Sequence, residues 1–89
     1  MPVVFVPKQI RELTGGLAEV VVEGETVGEV IDALDQRYPG VKARVCQEDS
    51  LAPGIQVSVD DVMTTRGLRA KLQPTSEVHF LPVIGGGLG

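Results

Sequence analysis

The residues best suited to chemistry in this 89-residue chain stand at its end, Gly85-Gly86-Gly87-Leu88-Gly89. A terminal glycine carboxylate is unhindered, so a partner enzyme can bring ATP to it and form an acyl-adenylate. The activated carbonyl then accepts sulfur. Consecutive glycines also make a thin chain that threads a channel where side chains would clash. Fully extended, residues 83–87 reach at most ~18 Å at about 3.6 Å each, enough to enter a partner's active site while the body stays outside. The segment has too little apolar surface to offset its ordering entropy, so residues 85–89 are expected to be a flexible tail. The same composition also suits a passive linker or frayed end.

Other reactive side chains are sparse. Cys46 is the single cysteine and His79 the single histidine, so neither an intrachain disulfide nor a multi-histidine metal cage can form. Cys46 suits buried filler better than a sulfur relay. His79 fits a sheet-surface residue. Asp32 and Asp35 are three apart on a helix and read as a solvated charge face rather than an acid–base pair. Arg66 and Arg69 are candidates for gripping an acidic partner surface. With so few catalytic residue types, the chain is expected to act as something other than an enzyme.

Composition narrows the class further. Apolar residues make up 43% and charged residues 22%, the balance of a globular domain. The net charge of −4 is the wrong sign for generic binding to nucleic acid or anionic membranes. No apolar run approaches the ~20 residues needed to span a bilayer, and the N-terminus lacks a signal-peptide pattern. A cytoplasmic location is expected.

The elements that must position the tail follow from hydrophobic periodicity. Val3-Val4-Phe5-Val6 is apolar throughout and predicts a strand buried on both faces. A polar loop through Thr14-Gly15-Gly16 leads to a second strand at Ala18–Glu23, antiparallel to the first. Thr26 and Glu29 make a capping box, and Val27, Val30, Ile31, Leu34 and Tyr38 form one apolar stripe. Pro39-Gly40 should end this helix with a left-handed glycine. Residues 41–54 are ambiguous, with room for one or two helical turns. Ile55–Asp60 alternates as a half-buried strand, Asp60-Asp61 is a turn, and Met63–Arg66 is a candidate short strand. Glu77–Pro82 is the last strand. Strands one and five should be central parallel neighbours, and the helix should cover one face through Val27, Val30, Ile31 and Leu34. This is an α+β, β-grasp (ubiquitin-like) arrangement: a mixed sheet of four to five strands with one main helix. Residues 1–84 form the domain and 85–89 the tail.

The ending Phe80-Leu81-Pro82-Val83-Ile84-Gly85-Gly86-Gly87 resembles the Φ-x-P-x-x-x-Gly-Gly tail of MoaD/ThiS-type ubiquitin-like sulfur carriers. Thr26–Leu34 is similar to that family's helix opening, and Gln56–Asp61 to its third strand and turn. The resemblance implies that an E1-like adenylating enzyme activates the terminal glycine with ATP. A sulfur donor then converts it to a thiocarboxylate, and a biosynthetic acceptor enzyme takes the sulfur. No cofactor is bound by the carrier itself; ATP belongs to the activating enzyme. On the tail match, Gly86-Gly87 are the working diglycine and Gly87 carries the sulfur. Phe80, Pro82, Ile84 and Gly85 form the tail base and partner contact.

Leu88-Gly89 departs from the simplest pattern. The resemblance implies a precursor cut between Gly87 and Leu88 by a JAMM-type metallopeptidase. That extension is closest to carriers for cysteine, homocysteine or a sulfur-containing secondary metabolite. Two other registers stay open, one ending at Gly86 and one using Gly89 itself. Two other functions also stay open: a ubiquitin-like modifier joined to lysines, and a passive β-grasp interaction module.

Overall fold

The computed structural model describes residues 1–82. The expected flexible tail at 85–89, and with it Ile84, Gly85, Gly86, Gly87 and Leu88, lies outside the described residues. Strands β1 (Val3–Phe5), β2 (Glu19–Val21), β5 (Ile55–Val59), β6 (Val62–Met63) and β7 (Glu77–Pro82) form one sheet in the order β2-β1-β7-β5-β6. β1 and β7 run parallel, Val3 opposite Glu77 and Phe5 opposite His79. The other pairs are antiparallel. This is the β-grasp architecture, with the first and last strands at the centre.

Helix α1 (Val27–Arg37) lies across one face of the sheet. Its Val27, Val30, Ile31 and Leu34 are at most 1% exposed and share one core with Val4, Val20, Val57, Val78 and Phe80. An apolar stripe at helical spacing needs such a sheet face to leave water, and this burial is the main force holding the domain together. Thr26 Oγ1 accepts the Glu29 N–H at 3.2 Å, as a capping residue should. The return bond differs from the usual box: Glu29 Oε1 accepts the N–H of Glu25, not Thr26.

Several local expectations are corrected. β1 is not buried on both faces; Val3 and Phe5 are half-buried on the side away from α1. The polar loop after it is a 3-10 helix, Lys8–Thr14, which buries Ile10 and Thr14 before Gly15 reverses the chain at φ +69°. Gly40 does not stop α1. Tyr38 does so at φ −133°, and Gly40, at φ +108°, opens a short helix α2 (Val41–Val45). Asp35 has a structural task rather than a solvated one: its Oδ1 accepts the N–H groups of Gly40 at 3.1 Å and Lys42 at 3.0 Å. Asp32 pairs with Lys42 Nζ at 2.7 Å, an exposed pair of little energetic weight. A hairpin follows, β3 (Cys46–Gln47) with β4 (Ser50–Leu51). The short strand expected at Met63–Arg66 is instead Val62–Met63, joined to β5 by Asp60 and Asp61 at φ +52° and +68°. That left-handed pair is the two-residue hairpin geometry that follows sheet twist.

Candidate functional site

The site is the end of β7, from which residues 83–89 continue. Alternation along β7 sends Val78 and Phe80 into the core and leaves Glu77, His79 and Leu81 on the other face. Phe80 is 4% exposed, so it anchors the strand from inside. Leu81, 39% exposed, is the side chain offered outward. Sequence reasoning passed over it, although the same period-two pattern marks it.

β7 is held along its length by β5, from Val59 opposite Val78 to Ile55 opposite Pro82. On its other side, pairing with β1 ends at Phe5 and His79. β1 then turns away through Pro7, so the last two residues of β7 have a neighbour on one side only. A proline is tolerated there because that flank has no partner strand to receive its missing N–H. The start of the tail is thus fixed by one antiparallel neighbour and a buried Phe80.

His79 stacks on Phe5 with ring centroids 4.1 Å apart and planes 5° from parallel. Its Nδ1 is buried and has no hydrogen-bond partner among the described residues. Ser58, opposite it on β5, is 7% exposed although alternation places it on the wet face. His79 is therefore part of a half-buried outer face, as expected of a sheet-surface residue. Cys46 is half-buried in a separate pocket beside Gly28, Lys42 and Leu68. Burial pushes its thiol up, more than nearby Lys42 pulls it down. A protonated thiol of this kind does not suit a sulfur relay. Among the described residues, no group of three His, Cys, Asp or Glu side chains could hold a metal ion. No helix there is long and apolar enough to cross a membrane.

Arg66 precedes and Arg69 ends the 3-10 turn Gly67–Arg69, which packs on α1. The next residue, Ala70, accepts the Val27 N–H at the start of α1. They sit at the helix N-terminal side, not beside the tail. The cations beside the tail base are Lys8, Arg11 and Arg44, in grooves on either side of Leu81. These come from the 3-10 helix after β1 and from α2, distant stretches of sequence that only the fold brings together.

A sheet with parallel first and last strands, a single covering helix and a terminal strand leading into a diglycine segment defines a ubiquitin-like carrier domain. The model of the ThiS family matches residues 4–87, and the chain belongs to that family. It is a protein cosubstrate of the sulfur-carrier type rather than an enzyme. It is 33% identical to the sulfur carrier protein CysO of Mycobacterium tuberculosis, over 94% of this chain and 96% of that protein. Its structure resembles a chain of the Amycolatopsis orientalis BexX/CysO complex with a TM-score of 0.89 and 34% identity, covering 94% of this chain and 97% of the other. It also resembles the small archaeal modifier protein 1 of Methanosarcina acetivorans, with a TM-score of 0.77 and 26% identity, over 97% and 95% of the two chains.

Proposed function

We propose that this protein is made as a precursor and carries sulfur on Gly87 as a thiocarboxylate. The observation that carries this reading is the family match, which runs to Gly87 and leaves Leu88-Gly89 outside it. A peptidase of the JAMM type adds water across the Gly87–Leu88 peptide bond and releases the segment that begins with Leu88. An E1-like enzyme then lets the exposed Gly87 carboxylate attack the α-phosphorus of ATP, and pyrophosphate leaves. Sulfide displaces AMP from the acyl carbon to give the thiocarboxylate directly. A persulfide displaces AMP to give an acyl disulfide, which a second thiol then cleaves to the thiocarboxylate, leaving a disulfide between the two thiols. A biosynthetic enzyme takes that sulfur, for cysteine, homocysteine or another sulfur-containing product. The likeness to CysO supports the cysteine-type branch. ATP and these enzymes place the process in the cytoplasm.

The body's part is mechanical. Phe80 and the pairing with β5 hold the base of the tail, so entropy is lost only over the segment that enters the partner. The test compares the full-length protein with a form ending at Gly87, each with the adenylating enzyme of the same organism, ATP and sulfide. Intact mass reads replacement of oxygen by sulfur. The shortened form is expected to be thiolated and the full-length form not. Equal thiolation with sulfur on Gly89 overturns the precursor reading.

A second reading has its own support, since one structural neighbour is called a modifier protein. The same acyl-adenylate can be attacked by a lysine amine to give an isopeptide. Glycine remnants on lysines of target proteins would favour it; their absence alongside a thiocarboxylate favours the carrier.

A further inference from the structure

The grooves at the tail end of this domain carry more cations than acids. The two grooves that flank Leu81 at the tail end share the residues Pro7, Gln9, Phe80 and Leu81. Their rims hold Arg44 on one side and Lys8 with Arg11 on the other, against a single acid, Glu19. Arg11 is occupied in the fold, since its Nε donates to the Val6 carbonyl at 3.0 Å. Lys8 and Arg44 are exposed, and neither meets a carboxylate among the described residues. Arg44 makes only a long 3.4 Å bond to the Gln9 carbonyl. At the other end, Glu23, Glu25, Glu29 and Asp32 line the grooves near the start of α1, with Lys71 among them and Arg66 and Arg69 on that side too. A chain of net charge −4 thus presents a cationic collar where its tail departs.

We infer that Lys8 and Arg44 form an electrostatic collar that seats on an acidic rim around the tail channel of the adenylating enzyme, with Leu81 as the apolar contact between them. The inference rests on the carrier reading above. The tail spans at most ~18 Å, so residues at its base stop at the channel mouth and do not reach the bound nucleotide. A positive patch there acts on encounter and orientation, drawing the base of the tail toward a negative mouth. Effects of this kind appear in association and in salt dependence, not in the chemical step.

The experiment uses the form ending at Gly87 and measures ATP–pyrophosphate exchange by the adenylating enzyme of the same organism. The charge-reversed pair Lys8→Glu/Arg44→Glu is compared with Lys71→Glu, an exposed cation at the opposite end. At low salt, kcat/KM is expected to fall by about tenfold or more in the pair, through KM, and by less than about twofold for Lys71→Glu. In about 0.5 M salt the gap between the pair and the parent should close to about twofold. The neutral pair Lys8→Gln/Arg44→Gln should fall between, which keeps the test valid if the reversed pair folds poorly. An equal loss for Lys71→Glu, or no loss in either pair, overturns the collar. A loss in kcat at unchanged KM also overturns it, since the cations would then be acting at the reacting groups. Absence of exchange by the parent itself overturns the carrier reading, and the collar with it.

Discussion

Asp60 and Glu77 are locked by two reciprocal hydrogen bonds. The Asp60 N–H donates to the Glu77 carbonyl at 2.9 Å, and the Glu77 N–H donates to Asp60 Oδ1 at 2.9 Å. Asp60 Oδ2 also accepts the Ser76 hydroxyl at 3.0 Å, and the Ser76 oxygen accepts the Gln73 N–H at 2.8 Å. A turn residue held at φ +52° thereby fixes where the tail-bearing strand begins.

Asp60→Ala should therefore destabilise the domain by about 1–3 kcal/mol, the range for leaving such donors without their partner. Asp60→Asn should cost less, because asparagine keeps one acceptor oxygen and tolerates the left-handed backbone. Urea unfolding of the two variants checks the order. Equal losses would show that the carboxylate bonds contribute little.

Gly24 is required by space as well as by its φ of +154°. A Cβ there would stand 2.8 Å from the Val30 backbone nitrogen and 2.7 Å from Val30 Cγ2. Gly24→Ala is expected to cost about 1–3 kcal/mol from overpacking, beyond its backbone strain. Gly54, at φ +89° with open space around it, is the control. Its alanine variant should lose only the left-handed penalty of about 1–2 kcal/mol. Thermal or urea unfolding reads both.

The Cys46 thiol should resist alkylation at neutral pH. Burial raises it above the ordinary value of 9.0, so its thiolate fraction is smaller than that of a free thiol. The native state then holds this proton more firmly than the unfolded chain does. The stability it lends is present below pH 9.0 and is lost as pH rises through the native value. Iodoacetamide labelling against pH should show a midpoint above that of a cysteine peptide. Labelling as fast as the peptide at neutral pH would contradict the burial.

Gly87→Ala, made in the form ending at residue 87, should slow thiocarboxylate formation by about tenfold or more. A methyl group in a channel shaped for glycine costs on the order of 1–3 kcal/mol. The readout is initial rate by intact mass at saturating ATP. An unchanged rate would place the working end elsewhere.

Helix α1 and strand β5 were legible because each carries a single consistent period. Val27, Val30, Ile31 and Leu34 could share a face only in a helix, and Thr26 with Glu29 marked its start. The parallel placement of β1 beside β7 followed from their apolar content. Asp35 was misread because its role depends on Gly40 and Lys42 folding back over it, a tertiary event with no periodic signature. Arg66 and Arg69, the cations that the sequence offers for gripping a partner, lie beside the start of α1 rather than beside the tail. Lys8 and Arg44 become neighbours of Leu81 only when the 3-10 helix after β1 and α2 close around the end of β7. The inward packing of Phe80 at the tail base was legible, since Val78 and Phe80 share the parity of the core.

The parallel pairing of β1 with β7 also sets how this protein can be handled. Met1 lies at the end of the sheet where β7 begins, and six strand residues separate that end from Pro82, roughly 20 Å at about 3.3 Å each. A fluorophore, purification tag or bead attached through Met1 would stand clear of the end that meets partners. The same label attached after Gly89 would burden the segment that, in the function proposed above, is cut, activated and inserted.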